Sequence, residues 1–361
     1  MDKKSLHIGL NLGGWISQYP TYDHAHFQTF IQAADIARIA GWGFDHVRLP
    51  VDYPVLEDPD QAGNYRDSGF EYVTACLDWC QEHNLRVILD LHKAPGFAFD
   101  ARGGNTLFEN AALQTRFLDL WETIAQRLAA YSDDFLAFEF LNEIVIPEST
   151  PWNTLFAKTL ARVREYSPQR LVVVGGNYFN AASELQNLVL PPDPNLLCTF
   201  HFYNPLVVTH QRAPWVPLLR EHNRAVDYPG TEDGHLAQVA ERFRREVLTQ
   251  PGFNDPALAG HIAELATESG QHFDQDYLKA HLAAALEFSQ ATGQPLYCGE
   301  FGVYEAAPMS VRLNWTRDFV ELLNQFDIGR AYWTYKALDF GLVDAEGNVV
   351  NQELVEIASQ R

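Results

Sequence analysis

The stretch FLAFEFLNEIV, Phe135 to Val145, sets Asn142 and Glu143 directly behind a run of apolar and aromatic residues. Such a run, with little alternation between apolar and polar, reads as a strand buried on both faces, the habit of a parallel sheet covered by helices. A polar pair at the tip of that strand has left the apolar interior and faces the space beyond the sheet's carboxyl edge.

Seven further runs of the same kind surround it: HIGLNLG, FDHVRLPV, RVILDLH, RLVVVGGN, LLCTFHFY, PLYCGEFG and GRAYWTY. Between them lie segments with apolar residues at three- and four-residue intervals, including Phe27 to Gly43, FEYVTACLDWCQEHN and LQTRFLDLWETIAQRLAAYS, which predict helices. Eight alternating strand and helix units predict a (β/α)8 TIM barrel across the whole chain, residues 1–361. A doubly wound sheet is the alternative. Its G-x-G-x-x-G fingerprint is missing after the first strand, where the chain reads LGGW.

One connection is too long for a single crossover helix. Between HFYNP and PLYCGEFG, residues 206–272 include HLAQVAERFRREVL and PALAGHIAELATE, both helical by period and separated by a Pro/Gly turn. This segment is expected to form a helical subdomain inserted after strand six, over the face where the strand-to-helix loops build a site.

Composition restricts the function. The 361 residues carry 47 acidic against 26 basic side chains, a formal charge of −21, which opposes a phosphate backbone, so no nucleic-acid partner is expected. No run reaches the length of a membrane span, and none near the start forms a secretory leader, so no membrane partner is expected, and a cytoplasmic location is expected, or a secreted one if a leader was removed. Cys76, Cys80, Cys198 and Cys298 lack the paired spacing of a zinc site and read as reduced core residues. A monomer is expected.

Polar and aromatic groups fall at the carboxyl ends of six predicted strands: Arg48, His92, Asn142 with Glu143, His201 with Tyr203, Glu300, and Trp333. Each alone has an ordinary reading, as a solvated loop carboxylate, a structural ion pair, a core histidine or a packing indole. Together they place two carboxylates, an arginine, two histidines, a tyrosine and a tryptophan around one space, which is costly to assemble without use. Carboxylates on strands four and seven face each other across a barrel and suit cleavage of a glycosidic bond between them. Arg48 and the Tyr203 hydroxyl beside Glu300 would favour its charged, nucleophilic form. Glu143, with His201 as neighbour, is left as the acid that later acts as base. Asn142 is positioned to donate to a sugar 2-hydroxyl, and Trp333 offers an apolar face to the ring.

These residues, in GLNLGGWISQYP, GFDHVRLPVDYP, LDLHKAPG, LNE, HFYNP, YCGEFG and YWTYK, resemble glycoside hydrolase family 5, the cellulase family, over nearly the whole chain. The long connection after strand six resembles its clostridial endoglucanase C type. The resemblance implies a retaining endo-β-1,4-glucanase that cleaves cellulose-like and mixed-linkage β-1,3-1,4-glucans through a glycosyl-enzyme intermediate, with no cofactor and no metal. It implies Glu143 as acid/base and Glu300 as nucleophile, with Arg48, His92, Asn142, His201, Tyr203 and Trp333 binding sugar. Two positions depart from the pattern: Ile144 stands where many members carry Pro, and Lys93 follows His92 where relatives often carry a second His. Trp15, Trp152 and Trp215 are additional stacking candidates, with core packing as the alternative for each.

The nearest rival functions use the same scaffold, an exo-β-1,3-glucanase or a β-mannanase. From other classes, a metal-dependent hydrolase built on His92 and His201 lacks a His-x-His pair at the first strand, and a non-catalytic sugar-binding barrel would not need both glutamates.

Overall fold

The computed structural model of the chain describes residues 1–100, 105–253 and 255–361. Eight strands, β1 (Ile8–Asn11), β2 (His46–Asp52), β3 (Arg86–Lys93), β4 (Leu136–Glu139), β5 (Val172–Gly175), β6 (Leu196–Phe202), β7 (Leu296–Phe301) and β8 (Gly329–Tyr332), form a closed barrel in sequence order. Every neighbouring pair is parallel, and β1 closes on β8 with Ile8, Gly9 and Leu10 opposite Arg330, Ala331 and Tyr332. Closure removes the free edges that an open doubly wound sheet would keep.

The two-residue period of the strands sorts their side chains. Val87, Leu89 and Leu91 of β3 join Leu136 and Phe138 of β4 in the large cluster packed under the helices. The alternate residues point into the barrel, where Ile88, Ala137, Val173, Leu197, Tyr297 and Ala331 fill its floor as a separate small cluster. The inward positions above that floor belong to Arg48, Asp90, His92 and Glu139, all buried. Arg48 was expected to close β2. It is instead the third of seven residues, opposite Ile88 of β3, because β2 continues through VD before the chain turns.

The helix expected over Phe27 to Gly43 is two, His24–Thr29 and Ala33–Gly41. Extended Gln32 starts the second: its backbone N–H donates to Asp35 Oδ2 at 2.9 Å in a capping box, so the local side chains favour a new helix start over continuity. The other predicted helices lie over Asp67–Glu82 and Ala111–Arg127. Trp15 and Trp152 are both core residues: the indole of Trp15 donates to the Phe27 carbonyl at 2.7 Å, and that of Trp152 to the Gly175 carbonyl at 3.0 Å. All four cysteines are buried and free. Among the described residues, no helix is long and apolar enough to cross a membrane.

Between β6 and β7 the chain forms helices Leu206–Thr209, Pro217–His222, His235–Phe243 and Pro256–Glu268, then the long helix Gln275–Thr292 that returns along the barrel. A two-stranded antiparallel ribbon, Gly230–Thr231 with His272–Phe273, ties the start of this excursion to its end. Residue 254, within the predicted 206–272 segment, lies outside the described residues.

Candidate active site

Arg48 is the hub of the barrel's upper interior. Its Nε and Nη2 donate to both oxygens of Glu139, at 2.8 and 3.0 Å. Nη1 donates to Asn11 Oδ1 at 3.0 Å and to Glu300 Oε1 at 2.7 Å, and Nη2 to Asn142 Oδ1 at 2.9 Å. Asp90 Oδ2 lies 3.0 Å from Nη2 and also takes His92 Nδ1 at 2.7 Å. A planar guanidinium with five N–H groups is the one side chain able to serve three carboxylates and two amides at once.

The two glutamates flagged in the sequence meet at the mouth. One oxygen each of Glu143 and Glu300 and one ring nitrogen of His201 all lie within 4.8 Å of one another. His201 Nδ1 is 2.8 Å from Glu143 Oε1 and 3.6 Å from Glu300 Oε2, and the Tyr203 hydroxyl donates to Glu300 Oε2 at 3.0 Å. Trp333, directly after β8, stacks parallel on His92 at 5.6 Å between ring centres and is 5% exposed. The eight expected residues therefore form one connected group.

The environments of the two carboxyls differ. Burial raises the proton affinity of both. For Glu300 the Arg48 guanidinium and the Tyr203 hydroxyl offset part of that rise and leave it at about 7, whereas Glu143, lifted further by the charge of Glu300, stays well above the usual carboxylate range. Burial and the positive charge of Arg48 hold His201 and His92 well below the ordinary histidine value, so both rings are neutral at neutral pH. A neutral His201 accompanies Glu143 with a hydrogen bond and does not force it to ionise.

Glu143, His201 and Glu300 are also, among the described residues, a cluster with metal-ligand spacing. Their chemistry fits poorly: a dication there would sit beside the Arg48 guanidinium, 2.7 Å from Glu300, and compete with it and Tyr203 for the same carboxylate.

A cavity of about 440 Å³ opens beside Glu143, His201 and Tyr203 and is also lined by Tyr178, Phe179, Trp215 and His261. Trp215 is the stacking candidate that reaches this space, and the residue is 41% exposed. Lys93 turns to Asp100, its Nζ 2.8 Å from Oδ2. Ile144 is buried, and its carbonyl accepts the Phe179 N–H at 3.1 Å.

Sequence reading missed Asn11, Asp90, Glu139 and Asn180. The first three carried a signal: each is a polar residue within one of the mainly apolar runs, a position that a barrel lumen with its own polar network accommodates. Asn180, whose Nδ2 lies 3.3 Å from His201 Nε2, had none, since it falls in the loop beyond β5.

Comparison with known proteins gives the family and the fold. Residues 10–339 match the model of the family described as cellulase (glycosyl hydrolase family 5). Over 357 residues, 99% of each chain, the protein is 41% identical to endoglucanase C of Acetivibrio thermocellus. It is 31% identical to cellodextrinase A of Ruminococcus flavefaciens, covering 91% of this chain and 85% of that one. The crystal structure of endoglucanase Cel5A from Thermotoga maritima superposes with a TM-score of 0.75 at 24% identity, covering 99% of this chain and 98% of that one, a likeness of fold. The protein is a glycoside hydrolase and belongs to glycosyl hydrolase family 5, the cellulase family.

Proposed function

We propose that the protein is a retaining endo-β-1,4-glucanase acting on cellulose-like and mixed-linkage β-1,3-1,4-glucans. The observation that carries this reading is the pair of buried carboxyls whose oxygens approach within 4.8 Å, of which only Glu300 is bonded to Arg48 and Tyr203. Inverting enzymes hold their carboxyls roughly 6.5–9.5 Å apart to admit water between sugar and base, and a closer pair suits direct attack.

Glu300, ionised, attacks the anomeric carbon as Glu143 gives its proton to the departing glycosidic oxygen. The carbon–oxygen bond breaks, and the sugar is held as an ester on Glu300. Glu143, now a carboxylate, takes a proton from water, whose oxygen displaces Glu300 and restores the original configuration. Asn142 suits the 2-hydroxyl contact: its Oδ1 is held by Arg48, while its Nδ2 is buried without a hydrogen-bond partner in the free enzyme. His92 and Trp333, stacked, form the side of the site that receives the sugar ring. Residues 206–272 serve as a helical subdomain walling the cleft, supported by Trp215 and His261 in the cavity lining. The names of the relatives, an endoglucanase and a cellodextrinase, support chains of β-linked glucose as substrate.

The test is reducing-sugar release from barley β-glucan, lichenan, carboxymethyl-cellulose, laminarin and mannan by wild type and Glu300→Gln. Cleavage of the first three that vanishes in the variant is expected. Activity confined to laminarin or mannan would overturn the substrate, and an active variant would overturn the nucleophile.

A further inference from the structure

The loop beyond β5 adopts a backbone that few sequences tolerate. Tyr178, Phe179 and Asn180 have φ values of 45°, 59° and 55°, three successive residues in the left-handed region and none of them glycine. Its surroundings hold it there. The Asn177 side chain accepts from the Ile146 N–H at 3.0 Å and donates to the Ile146 carbonyl at 2.7 Å, and the Phe179 N–H donates to the Ile144 carbonyl. The loop is thus strapped to the segment carrying Glu143. Gly175 completes the fit, since a Cβ there would lie 2.3 Å from Asn180 Oδ1.

Besides the cavity wall, this strained loop supplies one buried polar contact. Asn180, fully buried, brings Nδ2 to 3.3 Å from His201 Nε2. The other ring nitrogen, Nδ1, faces carboxyl oxygens of Glu143 at 2.8 Å and Glu300 at 3.6 Å. An N–H at Nδ1 serves both carboxyls at once, whereas a bare lone pair there would oppose the charge of Glu300 and compete for the proton of Glu143, so Nδ1 carries the hydrogen. A neutral imidazole then has its lone pair on Nε2, where an amide N–H is the complementary neighbour.

We propose that Asn180 is a positioning residue for the proton-transfer steps: by donating to His201 Nε2 it fixes the Nδ1–H tautomer, which donates to Glu143 Oε1 and leaves Oε2 to carry and deliver the proton. The inference rests on the reading of Glu143 as acid/base. The opposite tautomer would present a lone pair to Glu143, draw the carboxyl proton onto the Glu143–His201 hydrogen bond and withhold it from the leaving group.

The experiment joins two readouts on wild type, Asn180→Ala, Asn180→Asp and Glu143→Ala. Ring 15N NMR of histidine-labelled protein reports the His201 tautomer: Nδ1–H in wild type, Nε2–H in Asn180→Asp, whose carboxylate accepts from that position, and a mixture in Asn180→Ala. Kinetics compare cellotetraose, whose leaving group needs a proton, with 2,4-dinitrophenyl β-cellobioside, whose leaving group does not. Both Asn180 variants are expected to lose roughly 10-fold or more in kcat/KM on cellotetraose, a part of the ~100- to 10,000-fold available to general acid catalysis, with KM near wild type and the aryl substrate little affected. A His201 ring that stays Nδ1–H in both variants, or equal losses on both substrates, would overturn the proposal. If the tautomer responds as expected but Glu143→Ala treats both substrates alike, the acid assignment of Glu143 falls and the control of His201 by Asn180 stands.

Discussion

The barrel lumen and the excursion after β6 both bury carboxyl groups, and they satisfy them by opposite means. In the lumen, Asp90, Glu139 and Glu300 converge on the single cation Arg48. In the excursion, buried Glu232 accepts from the Gly234, Leu236 and Gly270 N–H groups and the Ser269 hydroxyl at 2.7–3.0 Å. Buried Glu268 accepts from the Leu206 and Val207 N–H groups at 2.5 and 2.8 Å. Backbone dipoles there clamp turns and a helix start, a structural task, whereas a shared guanidinium sets the proton affinities of the lumen acids together. The region that organises backbone uses amides; the region that gathers carboxyls around one cation uses charge.

Removing the cation should produce the largest effect. Arg48→Met leaves three buried carboxyls without their shared cation, so a loss of about 3–5 kcal/mol in urea unfolding is expected together with loss of glucanase activity. A variant that folds with normal stability would show that the lumen does not depend on its charge hub.

Glu232→Ala probes the other region. It orphans several backbone donors, each worth about 1–3 kcal/mol when buried, so hydrogen exchange should accelerate across residues 206–272 while the barrel strands keep their protection. Exchange that rises uniformly would mean the two regions unfold as one.

Within the lumen, Tyr203→Phe takes one donor from Glu300. That donor lowers the affinity of Glu300 for its proton, so its loss raises it, and the acidic limb of the kcat/KM profile should move to higher pH. A limb that moves down, or stays fixed, would detach Tyr203 from the titration of Glu300.

The smallest effect is expected at Glu264, in the cavity wall, which accepts from Asn204 Nδ2 at 2.9 Å. Burial raises its carboxyl from 4.5 to about 7. A raised folded-state value means its stabilising contribution is complete below pH 4.5 and is lost as pH rises through about 7. Glu264→Gln mimics the protonated form, so its melting temperature should fall less than that of wild type between pH 5 and 8. Parallel curves would show that Glu264 does not titrate in that window.

The strands were legible because a parallel sheet buried on both faces needs continuous apolar runs, and eight such runs leave few arrangements. The tip residues Asn142, Glu143, His201, Tyr203 and Glu300 were legible for the converse reason, since polar groups directly after such runs stand out. Helix boundaries were less so: the break at Gln32 depends on a capping box that competes with an unbroken apolar period. Trp15 and Trp152 looked no different in sequence from Trp215, because whether an indole is covered depends on what packs against it.

The sequence by itself determined the alternation of strand and helix, the parallel sheet and the kinds of side chain at its carboxyl edge, since each follows from periodicity and composition within a short window. Only the tertiary structure decided that Arg48 lies inside the barrel and reaches Glu300 across 252 positions of sequence. It also decided that the oxygens of Glu143 and Glu300 come within 4.8 Å, and that a strained loop delivers Asn180 to His201. Those contacts join residues remote in the chain, and their distances are fixed by closure of the barrel and the register of its strands, which no local stretch of sequence encodes.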